Sequence, residues 1–256
     1  MKKYNLIAWL SLTLILVGCD GKQGPAGPQG STGPTGPSSF ETSFQDGVYP
    51  TSSYSGTTNT WVDAANPTTA HSGATSLRVA MGSASASYGR VLIKFDLSSL
   101  PQNTSVLKAA LILKTQTTTS LTAGVTYSIG VNDMNVPLMV SGGCTWNLGA
   151  SWNSYNGSGT WSNCNAAGVG FVRGYHFVSS PMDTVTFTSA VNGTSKTYAW
   201  NLPPSVVQNW ITGVNDGVVL TSNSDSGEQT GNIDFYPNTD ATASNHPLLL
   251  ISYSIP

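Results

Sequence analysis

From Gly89 to Pro101 the chain reads Gly-Arg-Val-Leu-Ile-Lys-Phe-Asp-Leu-Ser-Ser-Leu-Pro. Val91, Ile93 and Phe95 recur at the period of two that a β-strand imposes, with Arg90, Leu92 and Lys94 on the opposite face. The first set predicts a core face and the second a wetter, basic one. Pro101 ends the strand. From about Phe44 onward similar short runs alternate with turn residues, predicting strands near 45–49, 60–62, 76–80, 90–95, 106–115, 126–131, 183–187, 196–201, 217–221, 233–236 and 247–254. One short helix is expected over Pro204 to Thr212. Proline stands near its start, Val206 with Trp210 and Val207 with Ile211 form i, i+4 pairs, and Gly213 is placed to take a left-handed cap. Many short strands and one helix predict an all-β fold, a jelly-roll-like β-sandwich with the helix plugging one end or edge.

The start of the chain follows a different pattern. Lys2 and Lys3 precede an apolar run, Leu6 to Val17, that is too short to span a bilayer as a mature helix and reads as a secretion signal. It closes on Leu16-Val17-Gly18-Cys19, which resembles the lipobox of bacterial lipoproteins, so Cys19 is the expected lipidation site and residues 1–18 the signal peptide. Asp20 resembles the inner-membrane retention signal of enteric bacteria, a rule other bacteria need not share. The expected location is therefore secreted and membrane lipid-anchored, in the periplasm or at the cell surface.

Gly21 to Ser38 forms six uninterrupted Gly-X-Y triplets, the period a collagen triple helix requires. With no flanking heptads, a Pro-rich spacer reaching about 56 Å at ~3.1 Å per residue is favoured over a homotrimer. The organisation is thus a signal peptide (1–18), a lipidated Cys with spacer (19–39) and one sandwich domain (44–256).

Without Lys2 and Lys3 the chain keeps eight Lys plus Arg against twelve Asp plus Glu, a mild acidity that gives no footprint for nucleic acid. With Cys19 acylated, Cys144 and Cys164 are an even pair in an oxidising compartment, and a disulfide is expected. Reaction chemistry is sparse. Glu41 and Glu228 are the two glutamates, one beside the spacer and one in a polar turn, and Ser105-Val106-Leu107-Lys108 lacks the partner motifs of Ser-x-x-Lys enzymes. His71, His176 and His246 are scattered. The chain reads as a non-enzyme. Asp216, Asp225, Glu228, Asp234 and Asp240 lie in oxygen-rich turns that would suit calcium, but their spacing fits no EF-hand loop. Solvated turns are the favoured reading, and no metal or cofactor is assigned.

Several segments in order carry a resemblance: Gly89 to Pro101; Ala110 to Leu113; Thr145-Trp146-Asn147 with Ser151-Trp152-Asn153; Val206 to Gly213 leading into Asp216 to Leu220; and Pro247 to Tyr253. Over about Phe44 to Tyr253 the chain resembles a DNRLRE-type domain, the group that includes carbohydrate-binding module family 96. It departs from that pattern at Tyr236-Pro237-Asn238-Thr239-Asp240, where the family usually has an acidic step, and at His246, where it usually has Arg. The resemblance implies a non-catalytic module that binds an extracellular polysaccharide, and alginate, an acidic polymer, is associated with some of its members.

Two stretches are candidates for that role. Between Cys144 and Cys164, Trp146, Trp152, Tyr155 and Trp161 stand among Asn, Gly and Ser, an inventory that suits sugar stacking, with covering the open end of the sandwich as the favoured reading. Arg90 and Lys94, with Lys114 and Arg78 on neighbouring strands, would suit uronate carboxylates if they form a basic face; a solvated outer face is the plainer alternative. A structural or adhesive surface protein, assembled through the Gly-X-Y tract without a sugar site, is the competing function.

Overall fold

The computed structural model describes residues 38–82, 88–134, 144–164, 170–222 and 230–255. Cys19 and the Gly-X-Y tract up to Pro37 lie outside these residues, as do Asp225 and Glu228.

Twelve strands, one α-helix and three single-turn 3-10 helices make up the described chain. In order the strands and the α-helix are β1 (Ser39–Phe44), β2 (Thr57–Asp63), β3 (Leu77–Met81), β4 (Gly89–Phe95), β5 (Ser105–Lys114), β6 (Ser120–Leu121), β7 (Thr126–Asp133) and β8 (Asp183–Thr188). Then follow β9 (Thr197–Leu202), α1 (Pro204–Thr212), β10 (Val218–Ser222), β11 (Gly231–Phe235) and β12 (Leu248–Ser254). All ladders are antiparallel. They form a four-stranded sheet, β1-β12-β5-β9, a five-stranded sheet, β2-β4-β10-β7-β8, and a three-stranded sheet, β3-β11-β6. The fold is all-β and sandwich-like, with the single α-helix where the sequence places it.

Alternation builds the main core. Val91, Ile93 and Phe95 of β4, Tyr127, Ile129 and Val131 of β7, and Val218 and Leu220 of β10 meet Leu111, Leu113, Leu249, Ile251 and Trp200 of the four-stranded sheet. Val91 pairs with Leu220 and Ile93 with Val218, so each inward residue sits opposite another inward residue. The helix closes one end with Val207, Trp210 and Ile211 buried. Gln208 fastens it, since its amide donates to the Thr104 carbonyl at 3.0 Å while its carbonyl oxygen accepts from Val106 N–H at 2.9 Å.

Three local expectations are corrected. Residues 45–49 form a tight turn in which Val48 and Tyr49 N–H both donate to the Gln45 carbonyl, and the first strand lies earlier, from Ser39, paired with β12 along its whole length. Gly213 does not adopt a left-handed cap. Its φ is −144°, and its N–H simply closes on the Asn209 carbonyl as the chain leaves toward Asn215, whose side chain holds the Phe95 carbonyl at 2.6 Å. The third correction is larger: the face of β4 carrying Arg90, Leu92 and Lys94 is not a wet face.

Candidate functional site

Leu92 is fully buried and Arg90 is 5% exposed, because the connection between β7 and β8 folds back over this side of the five-stranded sheet. Trp146, Trp161, Phe171 and Phe177 from that connection pack with Val62, Leu92 and Val219 into a second apolar cluster. Cys144 and Cys164 are joined by a disulfide, with Cα atoms 5.7 Å apart. Each buried indole is satisfied by main chain: Trp146 donates to the Asp216 carbonyl at 2.7 Å and Trp161 to the Ser151 carbonyl at 2.9 Å.

The expected aromatic platform is therefore largely a lid. Trp146 and Trp161 are 1% and 0% exposed, so neither ring offers a face to a sugar. Trp152 is half-buried with the Arg90 guanidinium 4.9 Å from its ring centre, and Tyr155 is half-buried edge-on to Trp161 at 6.0 Å. The basic face is likewise dispersed. Arg90 donates to the Phe171 carbonyl and lies 5.0 Å from the Phe177 ring. Lys94 Nζ donates to the Trp146 carbonyl at 2.7 Å, Arg78 makes a two-point pair with Asp234 at 2.7 and 3.0 Å, and Lys114 donates to Asn245 Oδ1 at 2.7 Å. No row of solvated cations results. Arg90, Lys94 and Lys114 anchor loop segments that the strand pattern alone does not reveal, and Arg78 pairs across the ladder with Asp234 of β11.

Burial sets the electrostatics of the lid. Lys94 is held below the ordinary lysine range by desolvation, against the attraction of Asp216. Desolvation likewise raises the Asp216 carboxyl, against the attraction of Lys94. Asp216 Oδ1 is buried and has no hydrogen-bond partner among the described residues. The turn after it needs glycine. Gly217 has φ +72°, and a Cβ there would overlap the Ile93 carbonyl oxygen. His176 is fully buried and lowered by desolvation. Its Nδ1 accepts from Val172 N–H at 2.8 Å, which leaves Nε2–H to donate to the Trp161 carbonyl at 3.0 Å.

A different concavity lies at the edge of β2. Thr57 and Asn59 stand on the face of β2 that looks into the sandwich, in step with Trp61, and are each 5% exposed. With His71, Leu148, Asn238 and Thr239 they line a pocket of about 110 Å³. Asn59 Nδ2 and His71 Nε2 are buried and have no hydrogen-bond partner among the described residues, while the Thr57 side chain interacts with the Tyr54 hydroxyl. Its walls are braced. His71 stacks on Trp61 at 3.8 Å, and Asp46 accepts from both Thr57 N–H and Asn238 Nδ2, each at 2.9 Å. Asn238 also donates to the Thr57 carbonyl at 2.7 Å. Burial pushes the His71 imidazole below the ordinary histidine value, with Asp63 opposing and Arg78 assisting. His246 bridges the same loops, its ring nitrogens 2.9 Å from the Asp46 carbonyl and 2.7 Å from that of Asp240.

The sequence holds a signal for this pocket that hydrophobic patterning passes over: Thr57 and Asn59 are polar residues at inward-facing positions of a strand. The second signal is the polar segment Tyr236 to Asp240, which supplies Asn238 and Thr239. The described acids of the supposed calcium turns do not gather. Asp216 lies against the lid, Asp234 is paired with Arg78, and Asp240 accepts from Thr242 N–H and Asn245. Compared with known proteins, the chain matches no family model and no curated protein.

Proposed function

We propose that this protein is a non-catalytic carbohydrate-binding module, anchored through lipid on Cys19 and set off from the membrane by its Gly-X-Y tract, that holds an extracellular polysaccharide. This is the role the DNRLRE resemblance implies, with the sugar site moved from the tryptophan loop to the pocket beside β2. One observation carries the reading: two buried polar atoms without partners, on Asn59 and His71, belong to residues that line one pocket. A buried polar atom left unpaired costs roughly 1–3 kcal/mol, and a ligand rich in hydroxyl groups relieves that cost on binding. Native gel electrophoresis of the full-length protein through gels carrying neutral or acidic polysaccharides tests it. Retardation by at least one polymer is expected, and unchanged mobility in all of them overturns the reading.

A second reading, a structural or adhesive surface protein assembled through the Gly-X-Y tract, is favoured by the burial of Trp146 and Trp161, which removes the stacking platform. It predicts trimers by sedimentation and no glycan retention.

A further inference from the structure

The chemistry of the pocket narrows the ligand. Among the described residues that line it there is no Asp, Glu, Lys or Arg. Arg78, which lies 5.8 Å from the centre of the Trp61 ring that His71 stacks upon, is committed to Asp234 through both guanidinium contacts. Arg90 and Lys94, the cations suited by type to uronates, are engaged beneath the disulfide lid. A carboxylate entering the pocket would lose its water and gain no partner of opposite charge, a cost that a neutral hydroxyl does not carry.

Size narrows it again. At roughly 10–15 Å³ of such space per water-sized group, 110 Å³ holds on the order of eight groups. That matches one pyranose ring with part of its hydroxyls and falls short of a disaccharide. The partnerless atoms differ in type. The Asn59 amide nitrogen donates, and His71 Nε2 donates or accepts with its tautomer. Hydroxyl groups complement both atoms in either tautomer of His71, whereas a purely accepting anion pairs with both only when Nε2 carries the proton. Leu148 and the aliphatic part of Leu77 supply an apolar wall for the ring's C–H face.

We infer that the pocket beside β2 takes a single neutral pyranose residue, presented at the end of a glycan chain, and discriminates against uronates. The inference rests on the carbohydrate-binding reading and specifies its ligand.

The test titrates full-length protein with methyl glycosides of neutral hexoses, the matching methyl uronides, and neutral oligosaccharides of two and four residues, following the Trp61 indole by NMR. Neutral glycosides are expected to shift that resonance, uronides to bind at least tenfold more weakly, and the longer oligosaccharides to gain little affinity over one residue. Asn59→Leu replaces a partnerless polar group by an apolar one of similar shape, so it is expected to melt as the wild type does while losing tenfold or more in affinity. His71→Phe keeps the stack on Trp61 and is expected to do the same. Preference for uronides, affinity that climbs steeply with chain length, or folded variants that bind normally would each overturn the inference. If a polysaccharide still retards the protein in those cases, the carbohydrate-binding reading survives with its site elsewhere. If nothing binds at all, both fall.

Discussion

Lys94 holds Trp146 twice: its ammonium donates to that residue's carbonyl at 2.7 Å and lies 4.7 Å from the centre of its ring. Trp146 in turn donates to the carbonyl of Asp216, whose side chain interacts electrostatically with Lys94. One lid residue is thus fixed both to β4 and to the segment leading into β10, with an electrostatic attraction between Lys94 and Asp216 alongside.

That pair makes stability depend on pH in a definite direction. The Asp216 carboxyl is raised above 3.8 even with Lys94 nearby, so the folded chain holds its proton more firmly than the unfolded chain. The contribution is fully present below 3.8 and is lost as pH rises through the folded value. Lys94 is depressed, and its contribution is present above 10.5 and lost as pH falls through its own folded value. Asp216→Asn mimics the protonated carboxyl. It is expected to unfold at a higher urea concentration than wild type at pH 7, the gap closing as pH falls toward 3.8. A gap that stays constant with pH would show that the carboxyl charge is not the cause.

The helix is structural although it belongs to the most recognisable stretch of the sequence. Trp210 is 6% exposed in the main core, and removing a large buried aromatic costs about 3–5 kcal/mol. Gln208→Ala leaves the Val106 N–H and Thr104 carbonyl unpaired, for a cost of about 1–3 kcal/mol. Urea unfolding is expected to rank Trp210→Ala below Gln208→Ala and both below wild type. Wild-type stability in either variant would contradict this placement of the helix.

What the sequence made legible follows from which signals are local. Val91, Ile93 and Phe95 face the core as their period requires, and Pro204 to Thr212 is a helix because its start signal and apolar pairs are contiguous. Alternation reports two faces but not what later covers them. Arg90 and Lys94 read as solvated because nothing near β4 in the chain announces that Trp146 and Phe171 will fold over it. In β5 the register slips between Ser252 and Tyr253 of its partner, leaving Leu107 outside; the inward set then runs Val106, Ala109, Leu111, Leu113, a change of phase that strict alternation misses. The pocket is the least legible feature. Asp46 and Asn238 brace it from positions 192 apart in the chain, a juxtaposition created only by the fold.

The lipid anchor is a separate prediction, resting on residues ahead of the described domain. Two or more acyl chains, at about 0.8 kcal/mol per buried methylene, would hold the mature protein on a membrane. Labelling cells with a palmitate analogue is expected to mark the protein and Cys19→Ala to abolish both label and membrane partition. Label persisting in that variant would place the lipid elsewhere.

The disulfide should stabilise the lid more than the sandwich. Cys144 and Cys164 close a segment with a sequence separation of 20, worth roughly 3 kcal/mol in the chain-entropy account. Inside that loop, order rests on short links such as Ser154 Oγ to the Gly159 carbonyl at 2.7 Å and on the two buried tryptophans. Cys144→Ser/Cys164→Ser is therefore expected to raise hydrogen exchange at the Trp146 and Trp161 indoles. The Trp200 indole, bonded to the Ile129 carbonyl at 2.9 Å in the main core, should keep its protection and serves as the internal control. Because Leu148 of the same loop forms a wall of the pocket beside β2, glycan affinity should fall in the double mutant although no pocket polar group has changed. Equal protection of all three indoles would mean that apolar packing alone holds the lid; loss of protection at Trp200 as well would mean that lid and sandwich unfold as one unit.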